Sequence, residues 1–129
     1  VSATVLDASA ILCLLGREAG ADVVAESIGT TRCVLSAVNL AEVATKLALS
    51  GLNGIEIDAV TEKLGVEIVG FDRQQAIAAG QLVTATKAGG LSLGDRACIQ
   101  LAQLMNAPVL TSDRIWSALG IAAKIRMIR

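Results

Sequence analysis

Short apolar runs, mostly β-branched or aliphatic, alternate along the chain with longer stretches in which apolar side chains recur every three or four positions. Five of the short runs read as strands: Ala3 to Leu6, Cys33 to Leu35, Val66 to Val69, Pro108 to Leu110 and Lys124 to Ile128. The longer stretches read as helices near residues 8 to 15, 20 to 29, 36 to 50, 54 to 64, 72 to 88 and 93 to 106, with a short one after Asp113. This alternation is the pattern of a parallel sheet covered on both faces by helices. The expected fold is an α/β three-layer sandwich around a central parallel sheet of about five strands, built as a single domain over residues 1–129.

Two of the helices carry polar residues that the pattern sets apart. In the helix from Ser36, the residues Leu40, Val43, Ala44 and Leu47 repeat at the spacing of one buried face, and Asn39, Glu42 and Lys46 line another. The helix before "PVL" runs its apolar stripe through Cys98, Leu101, Ala102 and Met105, which puts Asp95 on or beside that stripe. An acid in such a place is costly unless something compensates it. The stretch "KAGGLSLGD" (Lys87 to Asp95) is the one obvious flexible connection, and there is no internal repeat or low-complexity segment.

Composition changes the picture mainly by exclusion. The chain has 129 residues, 53% hydrophobic and 18% charged, which suits one domain with a sizeable core. No apolar run approaches a membrane span, and "VSATVLDASAILCLL" has no basic leader and carries Asp7 within it, so neither a signal peptide nor a transmembrane helix is expected. Cys13, Cys33 and Cys98 are far apart among aliphatic neighbours, so buried free thiols and a reducing cytoplasm are expected. The net charge of -1 means that a nucleic-acid partner would be held by a local patch or through metal ions. With no histidine and no tyrosine, the chain excludes Ser-His-Asp and Cys-His mechanisms and a histidine-bound zinc centre. Phe71 and Trp116 are the only aromatics, which argues against a binder that stacks bases on an aromatic platform.

Oxygen chemistry remains, and the carboxylates fall in telling places. Asp7 follows the first strand in "VLDAS" as Asp113 follows the fourth in "VLTSD", and an open parallel sheet binds ligands beyond the carboxyl ends of its strands. Glu42 lies about two turns into the helix after the second strand, and Asp95 opens the helix that leads to the fourth. Each acid also has a plain structural use: Asp7 and Asp113 suit helix N-caps, Glu42 suits an exposed pair with Lys46, and Asp95 suits a capping box with Ser92. Their joint placement favours a site. Two carboxylates about 4 Å apart repel by roughly 4 kcal/mol at an effective dielectric of about 20, so four together call for a divalent cation. Asp, Glu and the hydroxyls of Ser9, Thr111 and Ser112 suit Mg²⁺ or Mn²⁺, and phosphodiester hydrolysis is the chemistry that such a site does well.

The succession "DASA" with Asp7, "SAVNLAEV" with Glu42, "LSLGDRACIQLA" with Asp95 and "VLTSDRIW" with Asp113 spans nearly the whole chain. In this it resembles the PIN-domain ribonucleases, specifically the VapC toxins of prokaryotic toxin-antitoxin pairs. The resemblance implies that Asp7, Glu42, Asp95 and Asp113 form a catalytic acidic quartet holding Mg²⁺ or Mn²⁺, with Ser9, Asn39, Thr111 and Ser112 as the polar groups around it. It further implies a homodimer, endonucleolytic cleavage of a structured RNA such as transfer or ribosomal RNA, and neutralisation by a cognate VapB-type antitoxin that usually also binds operator DNA. Within it, Glu42 is open to two roles, binding a second metal or taking a proton from the attacking water. Arg17, Lys46, Lys87, Arg96 and Arg114 stand near the proposed edge as candidate RNA contacts, Asp72 is expected to cap a helix, and Trp116 to anchor a core or an interface.

Rival classes make different demands. A receiver-like phosphoacceptor would want a lysine just after a late strand, whereas Lys124 starts one. An aspartate-nucleophile phosphatase would want a second acid where Ser9 stands. A non-catalytic binding domain would use the acids as caps alone.

Overall fold

Strands and helices fall where the apolar runs place them. In the computed structural model, which describes residues 2–86, 90–114, 116 and 123–129, five strands pair in parallel: β1 (Ala3–Leu6), β2 (Arg32–Ser36), β3 (Glu67–Val69), β4 (Val109–Thr111) and β5 (Ile125–Met127). Between them run α1 (Ala8–Leu15), α2 (Ala21–Thr30), α3 (Ala37–Leu49), α4 (Gly54–Lys63), α5 (Arg73–Gln81), α6 (Val83–Thr86) and α7 (Leu93–Met105).

Side chains alternate across a strand, so one sheet feeds two cores. Val5 pairs in register with Val34 and Val109, and this row packs with Cys98, Ile99, Leu101 and Ala102 of α7 and with Trp116. One step along, Leu6 pairs with Leu35 and Leu110, and that row packs with Ala10, Ile11 and Cys13 of α1, Val24 of α2 and Val43 of α3. The result is the expected three-layer sandwich. Trp116 is a core anchor, 1% exposed. All three cysteines are buried and free, and among the described residues no helix is long and apolar enough to cross a membrane.

The strand order is β3-β2-β1-β4-β5, with β1 central. The chain builds outward from β1 to β2 and β3 on one side, then crosses to build β4 and β5 on the other. The connections therefore diverge between β1 and β4, and an open parallel sheet leaves a crevice at the carboxyl ends of such a pair. Asp7 and Asp113 follow those two strands.

One expected helix is two. The single helix read over residues 72 to 88 breaks at Leu82 into α5 and α6. Arg96 Nη1 donates to the Ala79 carbonyl at 2.9 Å, and Thr84 Oγ1 donates to the Gln81 carbonyl at 3.2 Å. Side chains that claim helix carbonyls interrupt the ladder at that point. Lys87 and the end of that stretch lie outside the described residues, as does most of the short helix expected after Asp113.

The turn from α1 to α2 is held against the end of the chain. Gly20 has φ +100°, and a Cβ on it would stand 2.6 Å from the Ile128 carbonyl oxygen. Arg129 Nη1 closes the same corner, donating to Glu18 Oε1 and to the Ala19 carbonyl at 3.2 Å each. Gly20→Ala combines a left-handed backbone with a main-chain collision and is expected to destabilise the fold by about 2 kcal/mol or more. Urea denaturation measures it, and an unchanged midpoint would contradict the account.

Candidate active site

Asp7 is held from every side. It N-caps α1, 4% exposed, and its Oδ1 accepts from the Ala10 N–H at 2.9 Å and from Ser9 Oγ at 2.7 Å. Its Oδ2 accepts from Thr111 Oγ1 at 2.6 Å. All three donors are neutral. Burial therefore dominates, pushing the carboxyl up from 3.8 to about 6 against the pull of these bonds, and the charge of Asp95 adds to the rise.

The same hydroxyls tie the two strand ends together. Thr111 Oγ1 accepts from the Asp113 N–H at 3.0 Å, and Ser9 Oγ accepts from the Ser112 N–H at 3.1 Å. Each hydroxyl thus gives its proton to Asp7 and takes one from the backbone after β4. Ser112 contributes its main-chain N–H to this arrangement. Asp113 is half-buried, two residues beyond β4.

Glu42 and Asn39 occupy a second corner. Asn39 is 1% exposed, and its Nδ2 donates to Glu42 Oε1 at 2.8 Å and to the Gly94 carbonyl at 3.0 Å. Its Oδ1 is buried, with no hydrogen-bond partner among the described residues. Glu42 is therefore engaged by Asn39 and lies against the first turn of α7, where Gly94 has no side chain. Along the face that Asn39, Glu42 and Lys46 share, Asn39 is buried, Glu42 half-buried and Lys46 exposed, so Glu42 is not half of an exposed pair with Lys46.

Asp95 is half-buried and forms the expected capping box, with Ser92 N donating to its Oδ2 at 3.0 Å and its own N–H donating to Ser92 Oγ at 3.2 Å. Asp72 likewise caps α5, accepting from the Gln75 N–H at 2.8 Å. Cys98 marks where the acids gather. Its buried thiol is pushed well up, chiefly by burial and then by the charges of Asp7, Asp95 and Glu42. The thiol lies 3.8 Å from the Leu6 carbonyl, at the end of β1 that leads to Asp7.

The gathering is looser than a ligand cage. Among the described residues, no three His, Cys, Asp or Glu side chains are drawn tightly enough together to hold a metal ion as they are placed. Asp7 and Asp95 serve as caps, and Glu42 is turned to Asn39. The donor set still suits a hard cation: it is all oxygen, and it includes a buried carboxylate that has only neutral donors.

Of the candidate RNA contacts, Arg96 is half-buried and its Nη1 donates to the Ala79 carbonyl. Arg17, Lys46 and Arg114 are exposed, and Lys87 lies outside the described residues. Gly94 went unread in the sequence, although a glycine in the first turn of a helix, where alanine is favoured, was a signal.

Receiver-like domains order their strands 2-1-3-4-5. The order here is β3-β2-β1-β4-β5, and Lys124 precedes β5. No curated protein matches the chain. Its fold is shared with solved structures. A chain of VapBC2 from Rickettsia felis, bound to a DNA fragment from its promoter, superimposes with a TM-score of 0.75 at 14% identity, covering 97% of this chain and 98% of that one. VapBC-1 from nontypeable Haemophilus influenzae gives 0.74 at 20% identity, covering 98% of each chain, and DNA-bound VapBC from Salmonella typhimurium gives 0.75 at 20%, covering 100% of each. These are likenesses of fold. The sequence itself is matched by the model described as PIN domain over residues 4–122, and with the acids set at the ends of β1 and β4 and around α7, the chain belongs to the PIN domain family.

Proposed function

We propose that the chain is an Mg²⁺- or Mn²⁺-dependent endoribonuclease, the toxin of a toxin-antitoxin pair, that cleaves structured RNA and is neutralised by a VapB-type antitoxin. The observation that carries the reading is Asp7: a buried carboxylate at the carboxyl end of the central strand, oriented by the Ser9 and Thr111 hydroxyls and surrounded by neutral donors. Family membership and the shared fold with VapBC chains support it. A homodimer and a cytoplasmic location belong to the same reading.

Asp7, Glu42, Asp95 and Asp113 would hold the metal. A divalent cation bound there supplies an activated water and neutralises charge on the leaving oxygen. The chain's own groups do the positioning. Ser9 and Thr111 fix both oxygens of Asp7 and hold the backbone N–H groups of Ser112 and Asp113, so the main chain that carries Asp113 keeps one placement relative to the Asp7 carboxylate. Asn39 holds Glu42, which would either bind a second ion or take a proton from water.

The test is cleavage of a mixed pool of transfer and ribosomal RNA by purified, antitoxin-free protein. Cutting with Mg²⁺ or Mn²⁺ that stops with chelator is expected. Folded protein that cuts nothing with either ion, or that cuts equally well in chelator, would overturn the proposal.

A further inference from the structure

Gly94 is the second residue of α7, with Ser92 as N-cap and Asp95 third. Its backbone is ordinary α-helix, so it is not there for a left-handed turn. A helix prefers alanine at such a position. What excludes a side chain is a neighbour: a Cβ on Gly94 would run into Glu42, and its three nearest atoms would be Oε1, Oε2 and Cδ of that carboxylate. The missing methyl is the space that the carboxylate fills.

Asn39 locks the arrangement. Both groups that its Nδ2 reaches, Glu42 Oε1 and the Gly94 carbonyl, are acceptors, so the amide has one possible orientation. The amide thus holds two acceptors together, and both belong to one contact, Glu42 against the first turn of α7.

We infer that Gly94 is a positioning residue that seats the Glu42 carboxylate against the first turn of α7, one residue from Asp95, with Asn39 as the clamp. The kinetic consequence rests on the nuclease reading above; the structural one does not. With a methyl at position 94, the carboxylate must leave its seat, by a displacement on the scale that costs on the order of 100-fold in rate when a catalytic group is moved about 1 Å.

Gly94→Ala, Glu42→Ala and the double variant separate the two consequences. In chelator, adding Gly94→Ala to Glu42→Ala is expected to raise Tm by about 3 °C, because the helix gains alanine and the carboxylate atoms nearest the methyl are gone. The same change in the parent is expected to raise it by nothing, or to lower it. Equal Tm increments in both backgrounds would overturn the inference, and this readout needs neither metal nor RNA. In the active parent, Gly94→Ala is expected to lower kcat by about 10- to 100-fold, with KM for RNA within about two-fold. Mn²⁺ affinity, read by electron paramagnetic resonance, falls with it. Parent-like kcat and Mn²⁺ affinity in Gly94→Ala, where Glu42→Ala has lost both, would also overturn it. A parent that neither cuts RNA nor binds Mn²⁺ sinks the nuclease reading instead, and the thermal cycle then decides the seat of Glu42 alone.

Discussion

Asp7→Asn is expected to lower metal-dependent RNA cleavage on the order of 1,000-fold, while leaving the metal-free protein at pH 7 as stable as the parent or more so. The two effects have one cause. At pH 7 the parent holds an ionised carboxylate in a buried pocket whose donors are all neutral. The folded-state pKa of about 6 against an ordinary 3.8 means that the charged form is disfavoured by about 3 kcal/mol. An amide removes that burden and still accepts from Ala10 and Ser9, but it lacks the charge to hold a cation. The sign is set by linkage. Between about pH 4 and pH 6 the unfolded chain releases the Asp7 proton while the folded chain keeps it, so this residue's contribution to stability is full below pH 4 and is lost as pH rises through 6. Urea melts in chelator at intervals from pH 4 to 7 should show the parent losing stability relative to Asp7→Asn. Parallel curves would remove the desolvated carboxylate from the account, and full cleavage by the variant would remove Asp7 from the site.

Thr111→Val keeps shape and deletes one hydroxyl, and its expected cost is a further 2 to 3 kcal/mol of stability with about a 100-fold loss of cleavage. Thr111 is fully buried, so no water replaces what is removed. Asp7 Oδ2 loses the donor at 2.6 Å and the Asp113 N–H loses its acceptor at 3.0 Å. The hydroxyl lowers the Asp7 pKa, so its loss raises that value further and moves the acid limb of the pH-rate profile to higher pH. Thr111→Ser, which retains the oxygen, should restore both readouts to near the parent. If valine and serine behave alike, the hydroxyl is not what joins the two strand ends.

The acids were legible because their positions follow from strand ends, and strand ends follow from apolar runs. "VLD" and "VLTSD" placed Asp7 and Asp113 beyond the sheet without any knowledge of which strands are neighbours. The capping box of Ser92 and Asp95 and the Asp72 cap were readable from spacing, since they are local. What escaped was contact between distant segments. The break at Leu82 depends on Arg96 reaching the Ala79 carbonyl, and Asn39 became a clamp only once α7 lay against α3. Gly94 escaped for the same reason: its use is defined by a carboxylate from another helix. Periodicity records which face is buried and says nothing of what is buried against it.

The central place of β1 also sets the order in which the protein becomes itself during synthesis. β1, β2 and β3 are consecutive neighbours and can pair while the rest of the chain is still being made. The other flank of β1 waits for β4, and the Thr111 hydroxyl that grips Asp7 comes from 104 residues downstream. Such long-range pairing is the slow part of folding. The edge that carries the acids therefore closes only once β4 has been made, and until then a half-sheet carries Asp7 without the strand that brings Thr111 to it.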